Sequence, residues 1–262
     1  MISVVIPTYK RPDLLKRLLT SISQQSVQPE EVIIVDDCSG MTLEYSEVIN
    51  EFSTILANLK YFSLESNSGA STARNKGIYE STQPWIALVD DDDEWLPEKL
   101  AEQKKLITQS TDEKLGLVYT WTEAQGVGEQ ASYTSCISVK GDARKALLTT
   151  NFIMSASVMV KREAIIEVNC FDVALPSCQD WDMWIRICLA GYHIDVVEKI
   201  LTIHHRHGGE SIGLSPKAKL GYKLLLESHW REIYKHTNIK NIVKKVILYI
   251  EVKVKTNGLR IK

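Results

Sequence analysis

The first hundred residues alternate short apolar runs with helical periods, and no other property of the chain limits its fold as tightly. Ile2 to Ile6, Glu31 to Val35, Lys60 to Ser63 and Trp85 to Val89 read as buried strands, with helical patterns between them. Pro12 suits an opening helical turn, and Leu14, Leu15, Leu18, Leu19 and Ile22 make one stripe to lay against a sheet. Buried strands joined by helices imply an α/β fold with a mostly parallel central sheet flanked by helices, in which ligands bind beyond the carboxyl ends of the strands. Three successive strand exits carry polar or acidic groups at that edge: Pro7, Thr8 and Tyr9, then Asp36 and Asp37, then Asp90 to Asp93.

The second half is less regular. Leu115 to Thr122, Ser157 to Lys161 and His193 to Ile203 read as strands, a helix starts at Arg162, and another spans Asp180 to Ala190. Gly126 to Ser135 reads as a polar loop. From Pro216 the chain reads as helical to near its end, with a break around Thr237 and Asn238. A chain of 262 residues accommodates one catalytic domain over residues 1–215, followed by a helical segment over 216–262.

The 31 basic residues are balanced by 33 acidic ones, which leaves no global cationic field and points away from nucleic acid as a partner. Cys38, Cys136, Cys170, Cys178 and Cys188 are odd in number and form no C-x-x-C pair, an arrangement suited to a reducing cytoplasm. Ile2 to Pro7 is too short for a signal-peptide core, and no stretch approaches the roughly 20 apolar residues of a spanning helix.

Four consecutive aspartates repel one another unless cations or solvent compensate. A hard divalent ion, Mn²⁺ or Mg²⁺, is one remedy, and it would also neutralise the two phosphates of a nucleotide. The alternative is a solvated turn that caps a helix beginning near Pro97.

The motif VDDDDEWLP at Val89 to Pro97 resembles the strand-exit motif of the family-2 inverting glycosyltransferases of GT-A fold. VVIPTY at Val4 to Tyr9, IVDDCS at Ile34 to Ser39, NSGASTARNKG at Asn67 to Gly77 and QDWDMWIR at Gln179 to Arg186 match further motifs of that family in the same order. The resemblance covers about residues 1 to 210 and is to the bacterial surface-polysaccharide type. It implies a nucleotide-binding half over residues 1–110 and an acceptor-binding half over 111–215. Asp91 and Asp92 form the DXD-type pair, with Asp92 at the metal and Asp91 or Asp90 nearer the ribose. Asp37 is expected at the base, in a pocket lined by Pro7, Thr8 and Tyr9, although Tyr9 could equally be a core residue. Arg74 and Asn75, in a stretch opening a helix after Gly69, are expected on the phosphate side.

Inversion requires one base to take the acceptor proton, and the resemblance assigns that part to Asp180. Gln179 stands where the family commonly has glutamate, but the aspartate is present. Asp182, two positions on, points away from Asp180 on a helix and suits structural hydrogen bonding. His207, ahead of Gly208 and Gly209, falls where relatives carry a histidine at the metal or diphosphate. The implied reaction moves a hexose, glucose or galactose, from a UDP-sugar to a sugar hydroxyl on an undecaprenyl-diphosphate-linked glycan for O antigen or capsule. Residues 239–262 set seven Lys and Arg against the single Glu251, interleaved with Ile and Val, a basic amphipathic pattern suited to the inner face of the plasma membrane or to ordinary packing. A dehydrogenase is disfavoured because no G-x-G-x-x-G follows the first strand. A noncatalytic nucleotide-sugar-binding protein and a metal-dependent hydrolase remain as alternatives.

Overall fold

The computed structural model describes residues 1–126, 132–205, 216–237 and 245. Its first four strands are β1 (Ile2–Thr8), β2 (Glu31–Asp36), β3 (Leu59–Ser63) and β4 (Trp85–Leu88), and they pair in parallel in the order β3-β2-β1-β4. Helices α1 (Pro12–Ser23), α2 (Thr42–Phe52) and α3 (Ala70–Glu80) connect them. Every residue of β1 is buried, which accounts for an unbroken apolar run in place of alternation. Val4 and Ile6 join Leu15, Leu18, Leu19 and Ile22 of α1 in one core layer, while Val5 joins Ala73 and Ile78 of α3 in the other. The α3 contact is close. A Cβ on Gly77 would lie 2.5 Å from a Val5 methyl carbon, so glycine is a packing requirement there.

Beyond β4 come β5 (Asp93–Trp95), α4 (Lys99–Gln109), β6 (Leu115–Gln125), β7 (Tyr133–Ser135) and α5 (Arg144–Leu147). A 3₁₀ turn (Ser155–Ser157), β8 (Met159–Lys161), α6 (Arg162–Glu167), α7 (Gln179–Leu189), β9 (His193–His205) and α8 (Pro216–His236) complete the described chain. The sheet continues β4-β8-β6-β9-β5, with β7 on β6. β8 lies antiparallel to both β4 and β6, β9 runs parallel to β6, and β5 is antiparallel to β9. The α/β architecture expected from the alternation is present, and its sheet is parallel through the first half and mixed through the second.

Asp93 to Trp95 reads as part of an acidic turn in sequence but forms a strand, because its partner residues, Thr202 to His204, lie far along the chain and leave no local periodicity. Helix α8 starts at the expected Pro216. The basic amphipathic pattern of 239–262 lies outside the described residues except for Lys245, whose Nζ sits 5.2 Å from the Trp181 ring centroid. Among the described residues no helix is long and apolar enough to cross a membrane, and all five cysteines are free thiols.

One buried charge ties the parallel strands together. Glu31 accepts hydrogen bonds from Ser3 Oγ (2.6 Å), the Thr82 amide (2.6 Å), Thr82 Oγ1 (3.0 Å) and Lys60 Nζ (2.9 Å). Burial alone would raise its pKa, but these donors overcome that cost and hold it at about 2 against an ordinary 4.5. Because the folded value lies below the unfolded one, the stabilisation is complete above pH 4.5 and is lost as pH falls from there towards 2. Glu31→Ala is expected to cost about 2–4 kcal/mol at pH 7, and thermal melts should show the variant losing less stability than wild type between pH 5 and pH 3.

Candidate active site

β4 delivers the four aspartates past the carboxyl edge of the sheet, where side-chain exposure alternates: 33% for Asp90, 6% for Asp91, 17% for Asp92 and 3% for Asp93. A tight turn at Asp91 and Asp92, closed by the Asp93 amide on the Asp90 carbonyl at 3.1 Å, follows β4, and it leaves Asp91 and Asp93 turned inward and Asp90 and Asp92 more open. Asp91 accepts from Thr8 Oγ1 at 2.8 Å and from the Arg11 guanidinium at 3.3 Å. Burial pushes Asp91 up to about 6, with Thr8 and Arg11 opposing the rise and Asp92 and Asp90 adding to it. Asp92 accepts from the same Arg11 nitrogen at 2.8 Å, and Arg17 donates to the Asp92 carbonyl at 2.6 Å. Asp93 meets His204 Nδ1 at 2.7 Å across the β5–β9 ladder. The hydrogen bond to Asp93 raises the His204 pKa, so carboxyl and imidazole act as one buried pair.

Asp90 is held by Arg74 of α3 at 2.5 Å. Burial works against the Arg74 charge, yet Asp90, Asp180 and Asp93 outweigh it and raise the guanidinium pKa. Asp180 therefore lies in the same electrostatic field as the strand exit, although 87 or more residues separate it from the aspartates in sequence (180 − 93 = 87). It occupies the first turn of α7, where Oδ1 accepts the Trp181 amide at 2.7 Å and Oδ2 accepts Asn151 Nδ2 at 3.3 Å. Burial raises the Asp180 pKa against those two donors and Arg74. A carboxylate with a raised pKa is the form a general base takes.

The remaining expected residues fall in distinct places. Asp37 is buried, and its carboxylate takes the Ser68 amide (2.7 Å), the Gly69 amide (2.8 Å) and Asn67 Nδ2 (3.0 Å), so it shapes the loop entering α3. Pro7 and Thr8 are buried at the end of β1, and Thr8 also bonds Tyr45 Oη at 2.9 Å. Tyr9 is 39% exposed with Lys10 Nζ 5.1 Å from its ring centroid, which removes it from the core. Asn75 spends both ends of its amide on the Phe171 backbone, donating to the carbonyl at 2.8 Å and accepting the amide at 2.9 Å. It clasps α3 to the loop before α7, and Arg74 stacks over the Phe171 ring at 5.4 Å. Asp182 bonds His229 Nε2 and Arg186 Nε, each at 2.7 Å, in keeping with the structural part expected of it. His207 lies outside the described residues.

The outward carboxylates suit a hard cation, since Mg²⁺ and Mn²⁺ accept one or two carboxylates and complete their shells with phosphate oxygens and water. Among the described residues no three His, Cys, Asp or Glu side chains group into a metal shell. Sequence reasoning missed Arg11, Arg17 and Asn151 as members of this cluster. Each reaches it through tertiary pairing, and none stands in a motif.

The Glycosyl transferase family 2 pattern matches residues 3–168. The chain belongs to that family. An uncharacterised glycosyltransferase of Haemophilus influenzae is 29% identical over 189 residues, 71% of this chain and 62% of that protein's length. The amylovoran biosynthesis glycosyltransferase AmsB of Erwinia amylovora is 26% identical over 253 residues, covering 91% of this chain and 82% of AmsB. In structure, S. aureus TarS in complex with UDP-GlcNAc matches with a TM-score of 0.71 at 22% identity, over all of this chain and 76% of that one. The mannosyltransferase PcManGT from Pyrobaculum calidifontis, in complex with GDP-Man and Mn²⁺, matches at 0.68 and 17% identity over 96% and 68% of the two chains. The glycosyltransferase has the GT-A fold. Asp180 lies beyond the matched segment of the family-2 chain, so its place in the site rests on geometry.

The Asn75 clasp separates scaffolding from ligand binding. Asn75→Ala is expected to lower unfolding free energy by about 1–3 kcal/mol in denaturant melts while leaving UDP affinity within about threefold of wild type.

Proposed function

We propose that this glycosyltransferase moves a hexose, glucose or galactose, from a UDP-sugar to an acceptor sugar hydroxyl with inversion at the anomeric carbon. The observation that supports this reading is the Arg74–Asp90 pair at the end of β4, with the Asp180 carboxylate, its pKa raised by burial, in electrostatic reach of both. The uracil lies by the loop that Asp37 organises, over Pro7, Thr8 and Tyr9. Asp90 and Asp91 serve the ribose side, with Asp91 acting from within through Thr8 and Arg11. Asp92 and His207 hold Mn²⁺ or Mg²⁺, which when bound supplies positive charge against the departing diphosphate. Arg74 adds a guanidinium on the same side. Asp180 accepts the proton of the acceptor hydroxyl as its oxygen bonds the anomeric carbon and the bond from that carbon to the diphosphate breaks.

Several comparisons support parts of this reading. TarS was crystallised with UDP-GlcNAc and PcManGT with Mn²⁺, and AmsB is named for amylovoran biosynthesis. A lipid-diphosphate-linked acceptor in O-antigen or capsule assembly, reached from the inner membrane surface, is consistent with the basic composition of residues 239–262.

Titration with UDP, GDP and ADP in the presence and absence of Mn²⁺ tests the donor site. UDP is expected to bind most tightly, at least about tenfold better with Mn²⁺, and Asp92→Ala is expected to remove that gain. Asp180→Asn should retain UDP binding and lose about 10²-fold or more in transfer rate. If no nucleotide binds with or without metal, the donor-site reading falls; if water is the preferred acceptor, the protein is a hydrolase.

A further inference from the structure

Asp180 is approached from a second direction by a residue that no motif contains. Asn151 lies on the segment between α5 and the 3₁₀ turn, and its amide orientation is forced. Its Oδ1 accepts the Ile153 amide at 3.2 Å, which leaves Nδ2 to donate to Asp180 Oδ2 at 3.3 Å. A flipped amide would set oxygen against carboxylate and a donor against the Ile153 N–H. The segment itself is fixed at both ends. Trp181 Nε1 donates to the Leu147 carbonyl at 2.7 Å, Phe152 packs its ring 5.9 Å from that of Tyr119, and Ile153 is 1% exposed. Trp181 also gives its backbone amide to Asp180 Oδ1. A closed circuit therefore runs from Asp180 to Trp181, through the indole to Leu147, along the chain to Asn151 and back to Asp180.

We propose that Asn151 is a positioning residue for Asp180, holding one carboxylate oxygen while Trp181 holds the other, so that the base meets the acceptor hydroxyl in a single orientation. This rests on the reading of Asp180 as the base. Two donors, one on each oxygen, stop rotation about the Cβ–Cγ bond and leave further lone pairs on both oxygens for an acceptor proton. The requirement at position 151 is specific: a neutral donor, on a backbone that Ile153 and Phe152 pin. Alanine removes the donor. Aspartate keeps the shape and the bond from Ile153 but replaces the donor with a second negative charge beside Asp180. Burial already favours the protonated form of Asp180, so either change moves its titration to higher pH.

The test compares full-length wild type, Asn151→Ala, Asn151→Asp and Asp180→Asn. The Asp180 carboxyl is titrated by ¹³C NMR on aspartate-labelled protein, its signal identified by absence in Asp180→Asn, and UDP release from UDP-glucose and UDP-galactose with Mn²⁺ is followed against pH. The expected result is a rise of about half to one pH unit in the Asp180 midpoint for Asn151→Ala, a larger rise for Asn151→Asp, and UDP affinity within about twofold of wild type. The acid limb of turnover should follow the midpoint, with kcat down about tenfold at its plateau and KM little changed. An Asp180 midpoint that stays put in the Asn151→Asp variant overturns the proposal, as does a wild-type kcat and acid limb in both position-151 variants. Should Asp180→Asn turn over like wild type, it is the base reading that fails, and the NMR midpoints still report whether Asn151 holds the carboxylate.

Discussion

Four carboxylates in a row at the mouth of a buried strand are the constraint around which this protein is arranged. Left together in a low-dielectric corner they would protonate or push the strand end apart. The chain divides them by the tight turn after β4, sending Asp91 and Asp93 to internal partners and Asp90 and Asp92 to the open side. Between them they draw on four elements: Thr8 from β1 and Arg11 beside α1 for Asp91, the same Arg11 for Asp92, α3 for Asp90, and β9 for Asp93. The requirement to neutralise one short run thus recruits residues from across the fold.

The same partners connect the first and second halves of the fold. Arg74 faces Asp90 and stacks on Phe171, while its neighbour Asn75 grips the Phe171 backbone, so α3 is joined to the loop that precedes α7. In the first turn of α7 itself Asp182 reaches His229 on α8, which anchors the helix bearing Asp180 from behind. A side chain on a short helix is only as well placed as the contacts of that helix, and here they come from both α3 and α8.

Much of this arrangement was legible in the sequence. The first three strand exits could be located because buried parallel strands are continuous apolar runs, and because Asp36, Asp37 and the aspartate run interrupt them abruptly. Asp90 pairs with Arg74, and Asp180 lies within electrostatic reach of that guanidinium, for the motifs that carry them sit on elements whose order the fold preserves. What could not be read arises from long-range pairing. The strand Asp93–Trp95 is three residues long, and nothing local distinguishes it from a turn. Asn75, expected on the phosphate side, turned out to serve the backbone of residue 171, because a helix position does not reveal which neighbour its amide meets. Arg11 and Asn151 carry no pattern at all and take their meaning from where β1 and the segment after α5 end.

The antiparallel seam between β5 and β9 also has a bearing on how the protein is made. Asp93 and His204 are separated by 111 positions, and among the described residues β5 pairs with β9 alone. A ribosome emits β1 to β4 with their helices first, and these local parallel units can collapse as they emerge. The acidic run then waits, unclosed and exposed to solvent cations, until β9 follows. The strand exit is thus finished only after the second half of the sheet has been synthesised, so a nascent or truncated chain would carry a folded first half with an open and highly charged edge.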